Sequence, residues 1–172
     1  MPGSSAEAGE KRVDKHELLL IIRPEMNVTV STELAIPAER AYELAQRPAT
    51  VQHVLWPWLT ITPDTEVPER IVEGVRISLH LRWLGWIPGW THEIRIERFT
   101  PEEILSHEYG GPIAVWNHRL TFVPTSPTSC CYTDAVEIQA RMHALTPLAA
   151  LFAALMYRYR QARWRGLARV LA

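Results

Sequence analysis

The chain contains 172 residues, with a formal net charge of −1 and two cysteines. This length is typical of one domain, which buries enough apolar surface to fold without a disulfide bond or a structural metal. The balanced charge argues against a nucleic-acid partner. Cys130 and Cys131 are adjacent, so on a strand they point to opposite faces, which excludes a disulfide framework.

The first residues are polar and charged, and residues 1–15 are predicted to form a disordered tail. They lack the apolar stretch of a secretion signal, so we expect a cytoplasmic protein. The longest early apolar run, residues 18–22, is too short to cross a bilayer and predicts no integral membrane association. Because residues 16–172 show neither a repeat nor a linker, they are predicted to form a single domain.

Apolar and polar side chains alternate over residues 26–36, which predicts a half-buried strand. Pro37 suits the start of a short helix over residues 38–46, and Pro48 ends that helix. A second short helix is predicted over residues 50–54.

The middle of the chain combines alternating patterns with turn signals. Strands are predicted over residues 75–83, 90–97, 105–109, 116–122 and 130–138. Their short spacing favours hairpins and therefore an antiparallel meander. The side chains expected on the inward face include Leu79, Trp83, Trp90, His92, Ile94, Leu105, His107, Tyr109, Trp116, His118, Leu120, Tyr132 and Asp134.

The last segment changes to a helical period. Thr146 is a good N-cap and Pro147 a good first helical residue, so a helix is predicted to run to about Val170. Its apolar stripe is expected to pack into the sheet, and consists of Leu148, Leu151, Phe152, Leu155 and Tyr159. Arginines crowd the second half of the helix, which indicates a solvated face or, as an alternative, contact with an anionic membrane or partner.

Two stretches carry a family resemblance: Tyr109-Gly-Gly-Pro-Ile-Ala-Val-Trp-Asn-His-Arg-Leu-Thr-Phe122 with Tyr132-Thr-Asp134, and Arg82-Trp-Leu84. They resemble the polyketide cyclase/dehydrase-like branch of the START and Bet v 1-like (SRPBCC) superfamily. The resemblance implies an α+β helix-grip fold, in which about seven curved antiparallel strands wrap around a long C-terminal helix. Many relatives carry two histidines around one residue, but Asn117 stands in place of the first, so its role is not transferred.

Strand parity suggests where polar groups meet. A turn centred on Ser126 places His118 directly opposite Asp134 on the inward face, about 5 Å apart. A carboxylate there would orient the imidazole and favour its protonated form. The same reasoning pairs His92 with Tyr109 across the preceding hairpin.

A register that keeps parity across the glycine turn places His107 beside His118. The candidate catalytic residues are therefore His118, Asp134, His107 and Tyr109. Three interpretations stay open: His118 and Asp134 pin the strand register; they form a ligand-facing acid/base pair, with Tyr109 or His107 polarising a carbonyl; or two histidines and a carboxylate hold a metal. The sequence has no local metal-ligand motif, so no metal site is predicted.

The chain has seven tryptophans, which suits either core packing or the wall of an apolar ligand site. Two aromatic clusters, residues 54–58 and 82–90, are expected to rim a pocket mouth or to fold back as a lid. The candidate ligand-binding residues are Trp56, Trp58, Leu79, Trp83, Trp90, His92, Ile94, Trp116, Leu120, Tyr132, Phe152 and Met156.

These features support two functions. The first is an enzyme that needs no cofactor and cyclises or dehydrates a polyketide-like or aromatic carbonyl compound, with His118 as general acid or base and Asp134 orienting it. The second is a carrier or sensor that binds a lipid or another apolar molecule unchanged. Partners considered beyond the ligand are a carrier protein and a second copy of the chain.

Overall fold

The computed structural model describes residues 25–64, 66 and 68–172, and the tail expected over residues 1–15 lies outside them. The order of elements within this part of the chain follows the predicted α+β arrangement. The strands are β1 (Met26–Leu34), β2 (Leu59–Pro63), β3 (Arg76–Trp83), β4 (Ile87–Phe99), β5 (Ile104–Gly110), β6 (Ile113–Ser126) and β7 (Ser129–Ala140). The α-helices are α1 (Ala38–Ala45), α2 (Pro48–Leu55) and α3 (Thr146–Leu171), and a 3₁₀ turn spans His143–Leu145.

The seven strands form one antiparallel sheet in the order β1-β7-β6-β5-β4-β3-β2. Helix α3 packs against the concave face of this sheet, and the two short helices follow β1, so the architecture is the expected helix-grip fold. The short strand β2 was not predicted. Among the described residues, none of the helices combines the length and the apolarity that a bilayer span requires.

The β6–β7 hairpin keeps the predicted parity but not the predicted register. Its tip pairs Ser126 with Ser129, and a bulge follows at Pro124. The turn therefore centres beyond Ser126, and every pair shifts by two residues. His118 faces Val136, whereas Asp134 faces Leu120. A shift of two leaves all side chains on their expected face, because the side-chain period of a strand is two.

Strand β5 carries its side chains with the opposite parity to the prediction. Ser106 is buried on the inward face with Ile104, and Glu108 shares this face. His107 and Tyr109, both predicted to face inward, lie on the outer face, where Tyr109 is 51% exposed. The predictions that His107 and Tyr109 reach an internal site are therefore wrong.

A bulge between Ile96 and Arg98 causes this reversal. It moves the β4–β5 pairing by one residue, so that His92 faces Gly110 instead of Tyr109. A slip of one residue transfers every following side chain to the other face of the sheet. In the next pair, Ser106 and not His107 lies opposite His118.

Helix α3 buries a different face from the predicted one. Leu148, Leu151 and Leu155 remain 63%, 58% and 58% exposed. Alanines bring the helix backbone close to the sheet, and two large aromatic side chains fill the remaining space. The buried side chains of α3 include Ala150, Ala153, Tyr157, Gln161, Trp164 and Ala168. The predicted packing of the leucines into the sheet is therefore wrong.

One end of the molecule is closed by aromatic packing. Trp164 lies 5.5 Å from Tyr132, and Tyr132 stacks on Phe122 with 5.1 Å between ring centroids. Thr146 opens α3 but does not cap it, since its hydroxyl accepts from the Ala140 amide instead. The solid packing at this end leaves the open space to the other half of the sheet.

Candidate functional site

A cavity of about 180 Å³ lies between the concave face of the sheet and α3. Most of its wall is aliphatic and aromatic, but one end is polar. Ten predicted site residues line it: Leu79, Trp83, Trp90, His92, Ile94, Trp116, His118, Leu120, Phe152 and Met156.

The other predicted site residues lie elsewhere. Trp56 and Trp58 are 49% and 51% exposed on the surface, because they occupy the loop between α2 and β2. Tyr132 is fully buried in the aromatic packing behind the cavity, so it supports the wall without lining it. Asp134 is also fully buried and touches the cavity only through its neighbours.

His107 belongs to a separate network on the outer face. Its Nδ1 contacts the Asn117 side chain at 2.6 Å, and its Nε2 contacts Glu97. The hydrogen bond with Asn117 raises the pKa of His107 above its usual value, and Glu97 adds to this effect against the opposing effect of burial. Since His107 and His118 lie on opposite faces, they cannot share a metal ion. No cluster able to hold a metal occurs among the described residues.

His118 is held from behind by Asp134. The imidazole Nε2 and the carboxylate Oδ1 are 2.9 Å apart, a diagonal contact across β6 and β7. The same carboxylate oxygen accepts a 2.6 Å hydrogen bond from the Tyr132 hydroxyl, and its Oδ2 lies 3.4 Å from Gln161 Nε2. Because an ionised carboxylate only accepts, the Nε2 atom of His118 carries the hydrogen of this contact.

Glu108 adds a second carboxylate, which sequence reasoning missed. Its Oε1 accepts a 2.5 Å hydrogen bond from Ser106, and its Oε2 lies 3.1 Å from His92 Nε2. Trp90 Nε1 donates to His92 Nδ1 at 3.5 Å, which leaves Nε2 of His92 as the donor to Glu108. Glu108 Oε1 is 3.9 Å from Nδ1 of His118, too far for a direct hydrogen bond.

Both carboxyls are ionised at neutral pH. Burial acts to raise the pKa of Asp134, but the Arg160 charge and the hydrogen bond from His118 outweigh it and lower the pKa. Burial likewise acts to raise the pKa of Glu108, but the His92 hydrogen bond lowers it, as do the charges that His118 and His92 carry when protonated at the acidic pH where a carboxyl titrates. The polar end of the cavity therefore combines two carboxylates with cationic or hydrogen-bonding partners.

Arg160 is the second functional residue that sequence reasoning missed. Its side chain is 10% exposed and lines the cavity, with Nη1 3.8 Å from Asp134 Oδ1. Within the described part of the chain its guanidinium makes no hydrogen bond, and its buried Nε has no partner. A buried guanidinium with unused donors is costly unless a ligand or water supplies an acceptor.

Tyr157 completes the polar end from α3. Its hydroxyl accepts a 3.0 Å hydrogen bond from Trp116 Nε1, and its ring lies 4.9 Å from that of His118. Burial first, and then the charges of Glu108 and Asp134, raise its pKa well above the usual value. The hydroxyl therefore stays protonated and can donate.

The sequence contained weak signals for these residues. Arg160 and Tyr157 stand on the face of α3 marked by small alanines, which apolar periodicity does not detect. Glu108 stands beside the predicted His107, and only the bulge in β4 decides which of the two faces inward.

The solved structures that this chain resembles share its fold at low sequence identity. A START superfamily protein from Mycobacterium smegmatis is 14% identical, with a TM-score of 0.66 over 85% of this chain and 99% of that chain. A truncated norcoclaurine synthase from Thalictrum flavum is 12% identical, with a TM-score of 0.63 over 83% of this chain and 92% of that chain. An aromatase/cyclase from a Streptomyces species is 15% identical, with a TM-score of 0.60 over 84% and 94%.

These likenesses confirm the predicted START-like, helix-grip fold. No curated protein has significant sequence similarity to this chain. One family model, whose description is "Domain of unknown function (DUF8410)", matches residues 32–169. Because this match covers most of the chain, the protein belongs to the DUF8410 family.

Proposed function

We propose that this protein binds a small, mostly apolar carbonyl compound in its cavity and transfers a proton on it by acid/base catalysis. The observation that carries the proposal is the polar end of the cavity, where His118 stands between two carboxylates. Buried charges are expensive in an apolar cavity unless they serve structure or function.

The size of the cavity limits the ligand. Its volume of about 180 Å³ slightly exceeds the roughly 150 Å³ that accommodates a benzene ring. A ligand of one or two rings fits this space, and most of the wall that it would contact is hydrocarbon. The sequence predicted a polyketide-like or aromatic substrate. The cavity volume restricts this class to small aromatic or alicyclic compounds.

The base in this proposal is Nδ1 of His118. Since Nε2 carries the hydrogen that contacts Asp134, Nδ1 holds the free lone pair of the neutral ring. It lines the cavity and makes no hydrogen bond within the described residues. After Nδ1 takes a proton, the imidazolium lies between Asp134 and Glu108, and both negative charges stabilise it.

The carbonyl oxygen would bind to Arg160 and Tyr157. Removal of a proton from the carbon next to a carbonyl breaks the C–H bond and moves its electron pair toward the oxygen as an enolate. The unused guanidinium donors and the Tyr157 hydroxyl would stabilise this developing charge. Arg160 Nη1 and His118 Nε2 lie 3.8 and 2.9 Å from the same carboxylate oxygen of Asp134. The proposed base is therefore next to the group that would bind the carbonyl oxygen of the substrate.

The enolate carbon would then attack a second carbonyl in a cyclisation. His118 returns its proton to the alkoxide that forms, which leaves the protein unchanged. For dehydration, His118 takes a further proton from the carbon next to the carbonyl and returns it to the hydroxyl group, whose C–O bond breaks as the C=C bond forms, so that water leaves and the protein is again unchanged. None of these reaction steps consumes an oxidant or a reductant.

The alternative is a carrier that binds such a compound without changing it. What favours this function is the central structural position of Asp134, which is 0% exposed and contacts side chains from β6, β7 and α3. A carboxylate in this position can pin His118 and the helix to the sheet without any chemistry.

The test uses β-tetralone, a bicyclic ketone with acidic hydrogens beside its carbonyl. The protein is incubated with this probe in D₂O, and NMR measures hydrogen–deuterium exchange at the carbon next to the carbonyl. Quenching of tryptophan fluorescence measures binding in parallel. We expect exchange above the buffer rate, and we expect His118→Gln to lower the accelerated rate by about 10²–10⁴-fold with little change in affinity.

The control variant is His80→Gln, which removes an imidazole from the outer face of β3 and should leave exchange unchanged. Binding without accelerated exchange in the wild type would favour the carrier. Accelerated exchange that persists in His118→Gln would contradict the role of His118 as the base.

A further inference from the structure

An apolar surface lies outside the cavity and is not explained by the fold. Leu151 and Leu155 of α3 and three loop tryptophans remain exposed, with Trp86 at 74%. We call this surface, with Leu148, the tryptophan–leucine face; its tryptophans are Trp56, Trp58 and Trp86. Scattered apolar residues on a surface need no explanation, but a contiguous patch marks an interaction site.

Contacts within the face show that it is continuous. Tyr159, one helical turn after Leu155, lies 6.3 Å from Trp58 between ring centroids and donates to the Trp56 carbonyl at 2.5 Å. The Trp56 ring in turn packs against Gly85, where an added Cβ would lie 3.2 Å from it. Gly85 precedes Trp86, so helix and loops form one side of the molecule.

The segments that form this side contain no acidic side chains, although some of their arginines lie elsewhere, with Arg160 in the cavity and Arg165 and Arg169 beside Glu33. Residues 47–63, 74–92 and 138–172, which include α2, β2, β3 and α3, contain nine of the 18 basic side chains and none of the 19 acidic ones. Arg158 and Arg169 are exposed on the second half of α3, beyond the leucines. The apolar residues of this side therefore lie near the exposed Arg158, in segments of the chain that carry no carboxylate side chain.

This combination identifies the partner. A second copy of the same face would oppose arginines with arginines, which disfavours self-association. Exposed tryptophans with neighbouring leucines and arginines suit the boundary of a bilayer, where indole rings lie at the headgroups and arginines attract anionic lipid. An acidic protein would use the arginines but has no particular need for three exposed indoles.

We propose that the tryptophan–leucine face docks on the surface of an anionic lipid bilayer. The leucines and tryptophans enter the interfacial region, and Arg158, which is exposed one turn after Leu155, contacts lipid phosphates. The proposal is independent of the chemistry in the cavity, because no residue of the polar end takes part.

The experiment is co-sedimentation of the full chain with vesicles of equal parts phosphatidylglycerol and phosphatidylcholine, compared with phosphatidylcholine alone. We expect binding to the anionic vesicles that weakens as salt is added. Trp86→Ser should lower the partition coefficient by about tenfold or more, since one large apolar side chain leaves the interface. Arg158→Gln should lower it about fivefold.

Matched controls remove comparable groups from other surfaces. Val123→Ser changes an apolar side chain that is 56% exposed near the tip of the β6–β7 hairpin, and Arg40→Gln changes an exposed arginine of α1. Neither should alter binding. All of these positions are on the surface, so equal melting temperatures will confirm that the variants fold.

Three results would overturn the proposal. The first is no binding of the wild type to anionic vesicles at low salt. The second is vesicle binding that Trp86→Ser and Arg158→Gln leave unchanged. The third is occupation of the face by another partner. One form of this result is a dimer of the wild type that Leu151→Ser dissociates. The other is displacement of the vesicles by polyglutamate to the same extent in the wild type and in Trp86→Ser.

Discussion

His118 and Asp134 touch across the β6–β7 hairpin although neither is the other's strand partner. Nε2 and Oδ1 are 2.9 Å apart, while the backbone pairs are His118 with Val136 and Leu120 with Asp134. The contact is diagonal on one face of the sheet, which long side chains can span. It aims the opposite edge of the imidazole, Nδ1, along the sheet toward Glu108.

Loss of the buried negative charge at Asp134 should destabilise the fold. Asp134→Asn leaves the Arg160 guanidinium without its counter-ion in a site where Asp134 itself is 0% exposed. We expect the free energy of unfolding to fall by about 3–5 kcal/mol, measured by urea denaturation. Glu33→Gln, an exposed carboxylate on β1, should change it by less than about 0.5 kcal/mol. Equal small effects in both variants would contradict a central role for Asp134.

Arg160 should discriminate a carbonyl from a hydrocarbon. Wild-type protein is expected to bind β-tetralone about tenfold more tightly than tetralin, which has the same rings without the oxygen, because a hydrogen bond to a charged donor contributes about 1.5–3 kcal/mol. Arg160→Met should remove most of this preference, while Arg158→Met, on the exposed face of α3, should retain it. Fluorescence titration measures the dissociation constants of tetralin and β-tetralone for each variant. Because the ratio of the two constants is compared, a variant that binds both ligands more weakly does not imitate a loss of preference. An unchanged preference in Arg160→Met would exclude Arg160 as the oxygen site.

The two buried carboxylates should make the fold sensitive to acid. The pKa values of Glu108 and Asp134 are lower in the folded state than the ordinary values, which are about 4.3 and 3.9. Their stabilising contribution is therefore complete above about pH 5, and it decreases as pH falls through the ordinary values toward the lower folded-state values.

The free energy of unfolding, measured in urea between about pH 3 and pH 6, should consequently decrease toward acid. Glu108→Gln, which cannot lose a proton, should show a shallower decrease. Identical pH profiles for the wild type and Glu108→Gln would show that Glu108 does not have a lowered pKa in the folded protein.

Truncation of a side chain should destabilise the fold much more on the buried face of α3 than on its exposed face. Trp164 is 1% exposed and packs against Tyr132 and Phe122, so Trp164→Ala should lower the free energy of unfolding by about 3–5 kcal/mol. Leu155 is 58% exposed, and Leu155→Ala should cost less than about 0.5 kcal/mol. Chemical denaturation compares the two. A larger loss in Leu155→Ala would restore the original prediction that the leucines face the sheet.

Much of the architecture was predictable from the sequence because it depends on local pattern. Alternation within β1, β6 and β7 assigned their faces correctly, and proline positions marked the two short helices. A hairpin register that slips by two residues preserves the face of every side chain. The contact between His118 and Asp134 therefore exists even though their predicted pairing was wrong.

Only the tertiary structure decided the rest of the candidate site. One bulge in β4 reverses the parity of β5, so Glu108 and not His107 lines the cavity; a bulge is a response to sheet curvature that strand periodicity does not encode. Helix α3 turns its alanines to the sheet because the energy of close packing depends on shape complementarity as well as on the apolar area that is buried. That rotation brings Tyr157 and Arg160 into the cavity and leaves the leucines outside. Both the proposed carbonyl-oxygen site and the tryptophan–leucine face therefore depend on packing between distant segments.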